Sequence, residues 1–420
     1  MQRRLKDPAK RGSRAYLPPP RPVIGLEAEF SLFIDDVHRR PETIFGTPQN
    51  LVRRRMIPRT GRSFQLPAGG AIYFDTGVIE VATPIVELEP GCCYRATRLL
   101  WEQIQYLRRE LDAWSERNGC RARLQGFSTH YNLSFRSSGD SRRNVTRLSH
   151  LLAHVLAAPI ILLAANRKST AVGIRPRPER IEVTADFTPD AALMLASCAF
   201  IVGAVETMRL WPSYELAQID AHEIPRLTPF QLKKHSSRRG WRVLAPSLAH
   251  NPFTCDVNEP IWRLRDGRVL SLRAIATETL APFRKKIRQL GDEETLEHIE
   301  GVLAADARSL LDFPDRPKSY DDAGRDMDWN RRRLRRWPRS AYENVIHRVI
   351  SHESIWINGK RYRAERMRGW YEVIFREPKT GARHIFNLDY LAKLMAAKKK
   401  HAGRRLSERS EIAPVVLSEA

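Results

Sequence analysis

The chain has 420 residues, 42% hydrophobic and 28% charged, enough for a large buried core in one large domain plus a smaller one. With 71 Lys and Arg against 48 Asp and Glu, the formal net charge is +23, which favours anionic partners without choosing among nucleotides, acidic proteins and nucleic acid. The longest apolar run in this reading, Leu151 to Ala165, contains His154 and falls short of the ~20 residues of a membrane span. No membrane association is therefore expected.

Residues 1–21 are rich in Arg, Lys and Pro, have no apolar centre, and read as a basic disordered arm rather than a secretory signal. The five cysteines, Cys92, Cys93, Cys120, Cys198 and Cys255, show no metal-binding spacing. An odd number without a secretion signal fits reduced thiols and a cytoplasmic location. A strand-rich segment runs from Val23 to about Pro84. Leu99, Leu100, Ile104, Leu107 and Leu111 then follow a helical period, predicting a helix from about Tyr94 to Asn118, stopped by Gly119. A strand at Arg121–Phe135, a helix at about 145–165, a strand at Arg180–Ala185 and a helix from about Asp190 to Leu210 follow. Beyond about 225 the periodicity is patchier, and a soft boundary is placed there, separating a domain at 22–225 from a basic C-terminal region at 226–420. That region has a helical stretch at 280–311. A hairpin is expected where Trp370–Arg376 and His384–Leu388 flank a Pro-Lys-Thr-Gly turn. Basic clusters at 331–336 and 398–400 read as solvated surface. Trp329, Trp337, Trp356 and Trp370 among their arginines read as core, and no site is assigned there.

Four strands share one chemical feature. Alternate side chains of a strand point to the same face. In Val23–Phe33, Glu27 and Glu29 lie on one face and Leu26, Ala28 and Phe30 on the other. Val78–Thr83 is apolar except for Glu80 and Thr83. In Thr129–Phe135, His130, Asn132 and Ser134 oppose Tyr131, Leu133 and Phe135. In Arg180–Ala185, Arg180, Glu182 and Thr184 oppose Ile181, Val183 and Ala185. A charged residue in an apolar strand is costly unless paired or solvated. The plain alternative is a two-layer fold with a solvated sheet face. Clustered carboxylates instead call for a cation, and oxygen ligands with one imidazole suit magnesium or manganese rather than zinc. Magnesium usually shares its shell with substrate phosphates, so a polyphosphate is implied, with Arg167, Arg175, Arg177 and Arg180 as candidate phosphate clamps. There is no GxxxxGK[ST] loop, no GxGxxG after a strand, no GxSxG elbow and no HExxH.

The Gly25–Phe30 strand with its Glu-Ala-Glu, the Glu80 strand running into Ala82-Thr83-Pro84, the His130 strand and the Arg180-Ile-Glu182 strand, in that order, resemble the glutamine synthetase superfamily over roughly residues 23–210. The segment Gly70–Asp75 running on to Pro84 looks particularly like the Pup ligase and Pup deamidase enzymes, as more loosely does Met327–Arg332. The helix leading to Gly126–His130 looks more like the carboxylate–amine ligases. The resemblance implies an α+β fold with a curved antiparallel sheet backed by helices. It also implies ATP as nucleotide, and magnesium, with manganese as the alternative, on Glu27, Glu29, Glu80, His130 and Glu182. Arg167, Arg175 and Arg180 would contact the nucleotide, with Arg180 also catalytic. The implied reaction phosphorylates a carboxylate, which an amine then attacks to form an amide. The carboxylate and amine substrates include a small protein modifier among the candidates. The alternative on the same scaffold is an amide hydrolase of Pup-deamidase type, with Asp75 as nucleophile or base. His130 is followed by Tyr131-Asn132 rather than a second histidine, a departure from the pattern. A non-enzymatic nucleic-acid-binding protein is the third, less favoured reading.

Overall fold

The computed structural model describes residues 19–135, 141–235, 240–325, 337–352, 354–357 and 359–397. The basic clusters at 331–336 and 398–400, Trp329, the 327–332 segment and all but the end of the basic arm lie outside them. The fold is α+β, with an antiparallel sheet backed by helices, as expected.

The principal strands of the main sheet are β1 (Val23–Ile34), β2 (Ala71–Asp75), β3 (Val78–Ala82), β4 (Ala122–Ser134), β5 (Ala171–Arg177), β6 (Arg180–Asp186) and β7 (Trp241–Leu244). Their spatial order is β7-β5-β6-β4-β1-β3-β2, extended at the two ends by Lys233–Lys234 and by Phe64–Gln65 with Ile57–Pro58. Every pairing is antiparallel. The apolar residues of β1, Leu26, Ala28, Phe30 and Leu32, are fully buried. They pack under α1 (Cys92–Asn118), which also contacts β3 and β4. Gly91 and Gly119 flank α1 with φ of 76° and 61°, conformations that glycine adopts without a Cβ penalty.

Behind α1 lies α4. The 145–165 stretch is not one helix. It divides into α2 (Ser141–Val155) and α3 (Ala157–Ala164), bent by 65°. Pro159 explains the break: it lacks an N–H, and its ring would clash with the carbonyl of Val155 in a continuous helix. The next helix, α4 (Ala191–Met208), starts where the Asp190 side chain accepts a hydrogen bond from the Leu193 amide. It is apolar all round and long enough to span a bilayer, a run the sequence reading passed over. In the fold it is a core helix, 83% buried.

The expected helix at 280–311 is instead three: α5 (Leu272–Leu280), α6 (Arg284–Leu290) and α7 (Glu293–Ala304), parted at Pro282 and at Gly291. All three pack against α3 or α4. The packing therefore places no division at 225. β7 extends the main sheet, and Ile224, Val243, Leu272, Ile287 and Leu303 belong to the same core as β1. A second core gathers around α8 (Ala341–Ile350) and an antiparallel sheet of β8 (Ile355–Ile357), β9 (Lys360–Arg368), β10 (Glu372–Arg376) and β11 (Arg383–Asn387), with a helical segment at 388–397. The expected hairpin is β10–β11. Val23, Ile57 and Ile85 join this second core, so the small module sits against the β1 end of the large sheet.

Candidate metal and nucleotide site

Strand register converts the four sequence motifs into one surface. Glu27 of β1 stands opposite His130 of β4 and Ala82 of β3. Glu29 stands opposite Ser128 and Glu80, and Glu80 opposite Tyr73 of β2. On the far side of β4, Thr184 pairs with His130 and Glu182 with Asn132, while Glu182 also faces Arg175 of β5. The register of β1 and β4 shifts between Glu29 and Phe30, leaving Phe127 as an extra residue, 57% exposed. Such a bulge bends its strand locally.

Ligand atoms of Glu27, Glu80 and His130 all lie within 4.8 Å of one another. His130 Nδ1 is 3.4 Å from Glu27 Oε2, and its Nε2 is 3.9 Å from Glu29 Oε1. Ser128 donates its hydroxyl to Glu29 Oε2 at 2.6 Å and also lies 3.2 Å from His130 Nε2. Tyr73 donates to Glu80. Burial pushes the Glu80 carboxyl up to about 9, the neighbouring charges of Glu27, Glu29 and Asp75 adding to it against the Tyr73 hydrogen bond. Burial also opposes the charge of Glu27, but the His130 hydrogen bond and the charges of His130 and Arg180 outweigh it, so this carboxyl sits below its ordinary value. His130 is raised: burial works against its proton, and the hydrogen bond to Glu27 with the charges of Glu29, Glu27 and Glu182 prevails. Three carboxylates around one imidazole, one of them driven to hold its proton, fit a hard divalent cation.

Glu182 is placed differently. It is buried, with Arg175 against one carboxylate oxygen and Arg177 Nε donating to the other at 2.9 Å; Arg180 Nη2 is 3.8 Å away. Arg180 also donates to Asn132 Oδ1 at 3.0 Å. Arg175, Arg177 and Arg180 thus form a positive margin beside the acidic centre. Arg167 stands apart: its guanidinium donates to the carbonyls of Cys255 at 2.8 Å, Phe313 at 3.2 Å and Phe253 at 3.4 Å. Its partners are therefore loop carbonyls and not the acidic centre.

Two cavities meet at Glu27 and Arg180. The larger, about 770 Å³, runs from Gly25, Thr83 and Asn132 to the β9–β10 turn of the small module. The smaller, about 400 Å³, is bounded by Tyr73, Asp75, Arg59 and Ser63. Gly369 and Trp370 wall both. Buried Arg59 holds that turn: it lies 4.0 Å over the Trp370 ring and donates to the Gly369 carbonyl at 2.7 Å. Sequence reading missed Tyr73, Arg59 and Trp370. Tyr73 had a signal, since it lies in the Gly70–Asp75 segment that pairs with the Glu80 strand. Trp370 had none, because only the tertiary fold brings it to Glu27.

No protein-family model matches the sequence, and no curated protein matches it. Among solved structures, the chain is similar to the complex between the prokaryotic ubiquitin-like protein Pup and its ligase PafA, at 11% identity and a TM-score of 0.49. The likeness covers 95% of this chain and 99% of that one.

Proposed function

We propose that the chain is a magnesium- and ATP-dependent ligase that joins a carboxylate to an amine. The observation that carries this reading is the convergence of Glu27, Glu80 and His130 within 4.8 Å on a sheet face that opens into a cavity of about 770 Å³. In this reading Glu27, Glu80 and His130, with Glu29 beside them, hold magnesium or manganese. Held there, the cation would neutralise phosphate oxygens and so favour phosphoryl transfer.

The remaining roles belong to the chain's own side chains. A cavity of this size takes a nucleotide, and Trp370 offers a base an aromatic wall. Arg180, on the rim of both cavities, is positioned for negative charge on the transferring phosphoryl group. Arg175 and Arg177 neutralise Glu182 and orient this margin. Phosphorylation of the substrate carboxylate gives an acyl phosphate and ADP; attack by the amine on the acyl carbon expels phosphate and leaves the amide. Asp75, in the smaller cavity with Glu27 and Arg180, is placed to take the amine's proton. A small protein modifier is one candidate for the carboxylate partner. The same position of Asp75 supports a second reading, an amide hydrolase in which Asp75 attacks the amide or activates water and nucleotide is not consumed.

The test is titration calorimetry of ATP binding with and without magnesium, on the wild type, Arg180→Ala and Trp370→Ala. Magnesium-dependent binding, weakened roughly tenfold or more in each variant, is expected. Absence of nucleotide binding by the folded wild type would overturn the assignment. Net ADP production in the presence of an amine and a carboxylate separates ligase from hydrolase.

A further inference from the structure

The small module has a second face whose charges the ligase reading does not use. Strand parity puts Tyr362, Ala364 and Met367 of β9 and Val373 and Phe375 of β10 into its core. The opposite face carries Arg361, Arg363 and Arg366 on β9, Arg376 on β10 and Arg383 on β11, all exposed. Register places Arg363 directly opposite Arg376, and Arg376 directly opposite Arg383. Three guanidinium groups therefore line up across three neighbouring strands, about 4.8 Å apart per strand. Like charges facing one another across a sheet destabilise it, so a plain solvated surface gains nothing from this row. Glu365, at the bulge in β9, pairs with Arg383, its Oε2 accepting from Nε at 2.9 Å. No ion pair is formed by Arg361, Arg363, Arg366 or Arg376 among the described residues.

Two further observations enlarge the patch. Trp356 of β8 pairs in register with Arg361 and is 56% exposed, and Ile385 of β11 is 49% exposed. Arg54 and Arg55, both exposed on the loop before Ile57, approach from the large domain. Beside its burial, they and Arg363 hold the His352 imidazole below its ordinary value. At the other end, Arg368 continues the β9 series into the wall of the larger cavity.

We propose that this outer face of the β8–β11 sheet binds the phosphate backbone of single-stranded nucleic acid, with Trp356 stacking on a base. The charge is almost wholly guanidinium, the group that takes phosphate oxygens bidentately. An exposed indole beside a cationic row is the combination that tracks a single strand without reading its sequence. The inference does not rest on the carboxylate centre.

The test is fluorescence anisotropy of a labelled mixed-sequence 20-nucleotide strand titrated with the full chain at several salt concentrations. The wild type should bind at about 0.1 M salt. The combined variant Arg361→Gln, Arg363→Gln and Arg376→Gln should bind about tenfold or more weakly at that salt, and its slope of log affinity against log salt should be shallower by about 2. Trp356→Ala should weaken binding about fivefold or more, with little change in slope. The matched variant Arg268→Gln, Arg284→Gln and Arg288→Gln removes the same charge elsewhere and should bind like the wild type. Thermal melting checks that all variants fold. Glu27→Gln should keep full oligonucleotide affinity, so loss of the ligase reading leaves this one standing. Absence of wild-type binding, or equal weakening by the two triple variants, would overturn the proposal. So would tighter binding of poly-glutamate of equal length, which would assign the face to an acidic polypeptide.

Discussion

Glu80 has a buried carboxyl flanked by Glu27 and Glu29, and the Tyr73 hydroxyl donates to it. Below pH about 4.5 both folded and unfolded chains keep its proton, and it does not affect stability. Between there and its raised folded value the unfolded chain releases the proton while the fold retains it. Stability is then lost as pH rises, by up to about 1.4 kcal/mol per pH unit for this one group. Glu80→Gln removes that loss. The metal-free variant should therefore melt close to the wild type at pH 4.5 and above it at pH 8, by a few kcal/mol in denaturant titrations. An unchanged difference across that range would show that Glu80 is not held protonated. Glu27, Glu29, Glu80 and His130 were legible in the sequence because a strand's period of two is unambiguous once the other face is apolar. Arg167 lies with loop carbonyls apart from the centre, because nearness in sequence to Glu182 does not fix which side of the loop its side chain takes. Glu182 itself was read as a ligand, while the fold gives it three arginine neighbours.

Helices and strands were legible where their periodic pattern ran unbroken. The α1 stripe and the β6 alternation gave elements within one or two residues of those observed. Breaks were harder: Pro159 interrupts an apolar stretch whose composition continues on both sides, and Pro282 falls between two helical stretches that read as one. Nor does sequence reveal where two helices approach closely. At Gly203 of α4, an added Cβ would stand 2.4 Å from Ile287 Cγ1 and 3.2 Å from the Ile287 backbone nitrogen in α6. Gly203→Ala must push these helices apart, even though alanine favours helix in isolation. A net loss of about 1–3 kcal/mol is expected by chemical denaturation. Gain of stability would mean that the contact relaxes without strain.

Across the whole molecule, the small module is tied to α1 by a buried charge cluster. Glu343 of α8, almost fully buried, lies 3.2 Å from Arg95 Nε and 3.3 Å from Arg98 Nη2, and Glu87 accepts from the Tyr342 amide at 3.0 Å. Glu343→Gln leaves two arginines without this buried counter-charge, and a loss of about 3–5 kcal/mol is expected. Because Trp370 is carried by the same module, loosening it should weaken nucleotide binding as well as lower the melting temperature. A stable variant with wild-type binding would show that the modules act separately. The main core runs on past 225 to α7, and the second core takes Val23, Ile57 and Ile85 from the first strands together with α8 and β8–β11, so neither core is one continuous stretch of sequence.

The most direct measurement is titration calorimetry of ATP binding in the presence and absence of magnesium, on the wild type, Glu27→Gln and Asp75→Asn. The account predicts magnesium-dependent binding in the wild type and in Asp75→Asn, and loss of the magnesium dependence in Glu27→Gln. Binding that ignores magnesium in the wild type, or that survives unchanged in folded Glu27→Gln, would contradict it.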